Sequence, residues 1–190
     1  DDIPVYSVDA AYMVTPDVGY IRVIRFAEET PKEVEKAISG LKKKGMENLI
    51  LDLEDNGGGF LGAAYGLASQ FLKPGQMVVY TQGNKMPPQY LRVQNRGLSG
   101  MLIGAPKAAD IDRLVIMVNQ YSASASEIVS GAIQDNDRGL IVGRRTFGTG
   151  LVQRPFPFPD GSMISLTTSR YYTPSGRLIQ KPYKHGQSEA

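Results

Sequence analysis

The chain has no cysteine and only one histidine among its 190 residues, and both shortages exclude chemistry. Without cysteine there can be no disulfide, no thiolate nucleophile and no cysteine-bound metal. The histidine, His185, lies in a polar tail beside Lys184, where a catalytic group would not be held in place. The sequence therefore argues against a Ser-His-Asp triad and a histidine-based metal site, and we expect neither metal nor cofactor.

Long apolar runs and a strong charge bias are also missing. No apolar run approaches the roughly 20 residues that a transmembrane helix needs. The net charge is +2, and no basic stripe alternates with aromatic residues, so we expect no nucleic-acid partner. With 42% hydrophobic and 21% charged residues, the composition is typical of one globular domain with a sizeable core.

Strand patterns alternate with helix patterns along the chain. A helix is predicted from Thr30, as its N-cap, to Gly45, and a second one over residues 60–72. Strands are predicted at residues 18–24, 48–53, 77–81, 114–118, 140–142 and 163–168, and a further strand is predicted to start with residues 151–153. This alternation predicts an α/β fold with buried strands.

Three segments carry no such pattern. Residues 1–17 hold only short apolar patches, and the tail from Lys181 onward is predicted to be solvated. Residues 82–110 are rich in Gly, Pro, Asn and Gln. They are predicted to be irregular, and two interpretations stay open: a functional segment, either a mobile cover or a substrate-binding loop, or a plain surface excursion.

Ser124 lies where a buried strand gives way to a helix with an apolar stripe. A helix N-terminus carries unpaired N–H groups and positive dipole charge. A serine there could attack a carbonyl while a neighbouring N–H holds the oxyanion. The alternative is structural, because Ser124 and Glu127 also have the spacing of a capping box.

The glycine run Gly57-Gly58-Gly59 also has two interpretations. It is either a flexible turn or a nest of N–H groups that can hold an anion. A phosphate loop is disfavoured because no Gly-Lys-Ser/Thr follows. If Ser124 is a nucleophile it needs a base, and a lysine of lowered pKa is the remaining choice.

Five motifs in order resemble those of the carboxy-terminal processing proteases, also called tail-specific proteases, over nearly the whole chain. The motifs are residues 51–59, 119–128, 134–135, 143–153 and 171–177. The resemblance implies a ClpP/crotonase-like spiral of ββα units. It also implies a bacterial Ser-Lys endopeptidase of the periplasm or cell envelope that cleaves exported proteins near their C-terminal tails. The implied partner is a polypeptide substrate or C-terminal peptide tail.

The resemblance also implies roles for single residues. Ser124 matches the nucleophile, and Gln153 matches the residue that orients the base. The N–H of Ala125 and that of Gly58 or Gly59 match the oxyanion hole. Asp135, at the end of the following helix, matches an aspartate with a supporting role.

Two features depart from the family pattern. The family base lies in Phe-Gly-Lys-Gly, whereas this chain has Phe147-Gly148-Thr149-Gly150. A threonine hydroxyl cannot take the serine proton near neutral pH, so we expect impaired catalysis. Either the lysine has been replaced, or the chain is a non-catalytic relative that binds peptide tails or an apolar ligand. The family also carries a PDZ module before the core, and we expect residues 1–190 to be the core alone.

Overall fold

The computed structural model describes residues 6–94 and 109–182. Within those ranges the chain forms nine strands and three helices. In order they are β1 (Val8–Met13), β2 (Val18–Val23), α1 (Thr30–Lys42), β3 (Asn48–Asp52), α2 (Leu61–Phe71), β4 (Met77–Gln82), β5 (Gln89–Arg92), β6 (Leu114–Val118), α3 (Ala125–Asp135), β7 (Leu140–Gly143), β8 (Leu151–Pro157) and β9 (Met163–Tyr172).

The strands form two sheets, of orders β1-β2-β3-β6-β7 and β5-β4-β9-β8. In the first sheet β2, β3, β6 and β7 are parallel, and β1 is antiparallel at the edge. The second sheet is antiparallel throughout. The predicted α/β fold is confirmed, and the arrangement is compatible with a spiral of ββα units. Because β3 and β6 are parallel neighbours, the loops after them meet at one edge of the sheet.

One core joins the two sheets through the helices. It includes Leu51 of β3, Leu67 of α2, Val79 of β4 and Ile133 of α3, all with 0% exposure. The parallel strands can be apolar along their whole length because helices cover them. None of the helices within the described ranges is long and apolar enough to cross a membrane.

The start of α1 differs from the sequence prediction. The N-cap is Glu29, and Thr30 is the first helical residue. The Thr30 hydroxyl is fully buried, where it accepts the Ala27 N–H at 2.8 Å and donates to Ser7 Oγ at 2.6 Å. The prediction of Thr30 as the N-cap was therefore wrong by one residue, because its side chain bonds to the incoming chain.

Other differences concern exposed strands. Strand β1 was not predicted, and β5 lies inside the segment that was predicted to be irregular. Strand β8 starts at Leu151 as predicted, and β9 extends beyond its predicted end. Lys181 is exposed, as predicted, and its ammonium lies 4.2 Å from the centre of the Phe147 ring. Residues 95–108 and the tail with His185 lie outside the described residues.

Candidate active site

Ser124 occupies a strained turn between β6 and α3. Its φ of 52° and ψ of −111° lie outside the regions that residues with a side chain prefer, at a cost of about 1–3 kcal/mol. Two fully buried serines hold the turn on either side. Ser122 Oγ donates to the Leu53 carbonyl at 2.7 Å, and Ser126 Oγ donates to the Asn56 carbonyl at 2.8 Å. The turn is thus fastened to the loop that follows β3.

The structure brings the glycine run against Ser124. Gly58 has a φ of +97°, and a Cβ there would lie 2.7 Å from the Ala123 carbonyl oxygen, 2.8 Å from Ser124 Cβ and 2.9 Å from the Ala125 nitrogen. Gly59 has a φ of +144° and also lacks room for a side chain. The backbone of Gly58 therefore packs directly against Ser124 and Ala125. This contact is possible only because glycine has no side chain.

Asn56 organises this contact, a role that was not predicted from the sequence. It has 0% exposure, and its amide group donates to the Val23 carbonyl at 2.7 Å. Its Oδ1 accepts the Gly58 N–H at 2.9 Å, and its carbonyl accepts the Ala123 N–H at 3.0 Å. The signal was an asparagine two residues before a turn glycine, since such side chains bond the backbone two residues on. The Gly59 N–H has no acceptor among the described residues.

Glu127 connects Ser124 to the loop that holds the predicted base position. Its carboxylate is 5% exposed and accepts three backbone N–H groups. Oε2 accepts those of Ser124 and Thr149, both at 2.9 Å, and Oε1 accepts that of Gly148 at 2.7 Å. The Ser124 contact is the one expected of a capping-box glutamate. Because Ser124 and Thr149 share one acceptor atom, their backbones lie side by side.

Gln153 is three residues into β8, with an exposed side chain. Its Oε1 accepts the Ser165 Oγ–H at 3.5 Å, the long limit of a hydrogen bond, and this is its only side-chain hydrogen bond to the described residues. The β8–β9 register shifts between Val152 and Gln153. Such a bulge re-aims the side chains beside it. No described hydrogen bond links Gln153 to Ser124.

Asp135 ends α3, about 15 Å along the helix from Ala125. Its carboxylate accepts the Ser175 N–H at 2.9 Å, the Ser175 hydroxyl at 2.6 Å and the Arg177 guanidinium. Burial alone would raise the pKa of Asp135, but hydrogen bonds from Ser175, Thr173 and Arg177 outweigh it and lower that pKa. Asp135 therefore fastens the turn after β9 to α3, and the structure does not bring it to Ser124.

Comparison with known proteins gives consistent matches. The model of Peptidase family S41 matches residues 17–185. The carboxyl-terminal-processing protease of Synechocystis sp. is 40% identical over 164 residues, which are 86% of this chain and 36% of that protein. The carboxy-terminal-processing protease of Bartonella bacilliformis is 37% identical over 173 residues, 89% of this chain and 38% of that protein. The chloroplastic C-terminal processing peptidase of Tetradesmus obliquus is 35% identical over 165 residues, 86% of this chain and 33% of that protein.

A solved structure agrees with these relatives. The photosystem II D1 C-terminal processing protease aligns with a TM-score of 0.77 and 30% identity, over 95% of this chain and 47% of that chain. This chain thus spans about a third of the length of the curated relatives it matches.

Proposed function

The chain belongs to peptidase family S41, and from that premise we propose that it is the core of a serine endopeptidase of the carboxy-terminal processing type. The observation that carries the proposal is the meeting of Gly58, Ser124 and Ala125 at a helix N-terminus, with position 149 beside them. Relatives of this chain are described as processing proteases. We propose a similar substrate class here: exported polypeptides cleaved near their C-terminal tails, in the periplasm or cell envelope.

In the proposed reaction Ser124 attacks the scissile carbonyl carbon. The Ala125 N–H and the N–H of Gly58 or Gly59 stabilise the negative charge on the carbonyl oxygen. The Gly58 N–H already donates to Asn56, so Gly59 is the freer donor within the described residues. The strained backbone of Ser124 supports this role, because such strain concentrates at functional turns.

Position 149 is the proposed place of the base. Its N–H shares the Oε2 atom of Glu127 with the Ser124 N–H, so a lysine side chain there starts beside the nucleophile. Thr149 has no group that accepts a proton near neutral pH, and we propose that this chain is catalytically impaired. Gln153, four residues on, would orient a lysine amine at position 149.

The test is cleavage of casein by Thr149→Lys, compared with the unchanged chain. General-base assistance is typically worth about 10²–10⁴ in rate, so Thr149→Lys should cleave at least about a hundred-fold faster. The rate should rise with pH as the lysine loses its proton, because only the neutral amine accepts the proton of Ser124. Thr149→Arg is the matched control, since it adds the same charge without a usable base.

A second substitution separates true rescue from contamination. Thr149→Lys combined with Ser124→Ala should be inactive. Cleavage that survives Ser124→Ala would place the chemistry elsewhere. A folded Thr149→Lys variant that cleaves nothing would favour the second candidate, a pseudoprotease that binds peptide tails or an apolar ligand. The absence of a base at Thr149 is the observation that favours that candidate.

A further inference from the structure

Strand β8 begins two residues after Thr149, at Leu151, and is the outermost strand of the second sheet. Its pairing with β9 fixes which backbone groups face outward. The Gly150 carbonyl accepts the Tyr171 N–H at 2.8 Å, and at the other end of the hairpin the Phe158 N–H donates to the Ser162 carbonyl at 2.8 Å. Backbone groups alternate between the two edges of a strand. The even-numbered residues therefore face β9, and the odd-numbered ones face away from the sheet.

The outward-facing residues of β8 are Leu151, Gln153, Pro155 and Pro157. Proline has no N–H, so the outer edge keeps its donors only at Leu151 and Gln153. Both lie at the end of the strand next to position 149, whose N–H shares an acceptor with that of Ser124. No strand within residues 6–94 and 109–182 pairs with this edge.

We propose that an extended polypeptide substrate binds as an added strand on the outer edge of β8, paired with the backbone of Leu151 and Gln153. This inference rests on the proposed function and assigns a binding subsite to it. Strand addition gives affinity through backbone bonds and so accepts many sequences. A strand rises by about 3.3 Å per residue. The peptide residues that pair with Leu151 and Gln153 would therefore lie within a few residues of the bond that Ser124 attacks.

The two prolines favour a substrate over a second copy of this chain. Sheet formation between copies uses a long row of free N–H and C=O groups, and proline on an edge strand prevents it. Pro155 and Pro157 remove the donors from the distal half of β8, while the half next to position 149 has no partner strand among the described residues. The edge is thus short and continuous with the proposed active site, as a peptide subsite should be.

The test measures binding, which does not require cleavage. The probe is a fluorescein-labelled eight-residue peptide of alternating alanine and leucine with one added lysine, titrated with the unchanged chain. Peptides methylated at one backbone nitrogen at a time should show period-two losses of affinity, because only alternate N–H groups of an added strand face β8. Equal losses at all positions, or none at any, would overturn the proposal.

Substitutions in β8 test whether the peptide binds at the outer edge of this strand. Leu151→Pro removes an outward N–H and leaves the β9 ladder in place, so affinity should fall about five-fold, as expected for one hydrogen bond. Leu151→Ala is the matched control and should change affinity less than two-fold. Pro155→Ala restores a donor and should strengthen binding. If Leu151→Pro does not fold, the methylation series and Pro155→Ala still decide.

The outcomes separate this inference from the proposed function. If Thr149→Lys cleaves casein but Leu151→Pro and Pro155→Ala leave peptide affinity unchanged, the peptidase assignment stands and the β8 edge is wrong. If peptide binding shows the alternation but no variant cleaves, the edge is right and the chain is a binding module. A molecular mass that doubles with concentration, and returns to that of the monomer in Leu151→Pro, would make the occupant a second copy and contradict the inference.

Discussion

At the scale of single residues, the site depends on a glycine that cannot be replaced. A Cβ at Gly58 would lie within 2.9 Å of Ala123, Ser124 and Ala125, and its φ of +97° disfavours any side chain. In the Thr149→Lys background, we expect Gly58→Ala to lower casein cleavage about a hundred-fold or more, because it displaces the N–H groups around the oxyanion.

Gly57 offers a matched control one residue away. Nothing lies within 4 Å of a Cβ added at Gly57, so Gly57→Ala should keep most of the activity. Thermal unfolding of both variants reports any loss of fold. If Gly58→Ala and Gly57→Ala cleave equally well, the contact between the glycine run and Ser124 is not part of the reaction centre.

At the scale of the elements, the buried strands were predicted, whereas some of the exposed strands were missed or predicted too short. Strand β6 was predicted at residues 114–118 because a covered parallel strand is apolar along its length. Strand β1 was missed because its residues are exposed or only half-buried and give no clear core pattern to detect. Strand β8 extends through Pro155 and Pro157, which normally indicate that a strand has ended. An edge strand tolerates them because its outward N–H groups bond to nothing in the sheet.

The same distinction applies within the candidate site. The motif order indicated Ser124, the glycine run and position 149, since those signals are local in sequence. Glu127 was recognised only as a capping residue, because its bonds to Gly148 and Thr149 cross at least 21 residues of chain. Spacing along a helix cannot reveal such tertiary contacts. The fold had to show that one carboxylate holds the turn and the base loop together.

The connection between α3 and the turn after β9 predicts a pH effect. Hydrogen bonds lower the pKa of Asp135 below its ordinary value of 3.8. The folded state therefore favours the ionised carboxylate of Asp135. The contribution of this carboxylate to the free energy of unfolding is complete above the ordinary pKa and is lost as the pH falls through the lower, folded-state pKa. Asp135→Asn should cost about 1–3 kcal/mol at pH 7, and clearly less at pH 3.

Urea unfolding at the two pH values measures this effect. Asp137→Asn is the control, because Asp137 is exposed and its side chain makes no hydrogen bond to the described residues. Asparagine also tolerates the positive φ of that position, 52°. An Asp135→Asn deficit that stays constant from pH 7 to pH 3 would show that the charge of Asp135 contributes nothing.

At the scale of the whole molecule, the question is whether the two sheets unfold together. Leu67 of α2 has 0% exposure and belongs to the buried cluster that also holds Leu51 of β3 and Val79 of β4. Leu67→Ala leaves a cavity in that cluster, and we expect it to cost about 2–5 kcal/mol. If the core is one cooperative unit, the slowest-exchanging amides of both sheets should lose the same protection free energy.

Native-state hydrogen exchange of β3 and β9 amides measures this directly, since the two strands belong to different sheets. Leu166→Ala is the control, because Leu166 is 46% exposed on β9 and its loss should leave β3 unchanged within about 0.5 kcal/mol. If Leu67→Ala lowers the protection free energy of β3 and β9 equally, the two sheets unfold together. Global folding then holds Ser124, which follows the first sheet, next to position 149, which precedes the second. A loss confined to β9 would mean that the β8–β9 side opens alone. The distance between the nucleophile and its base would then vary within the folded protein, and the rate of Thr149→Lys should fall on warming well before the first sheet unfolds.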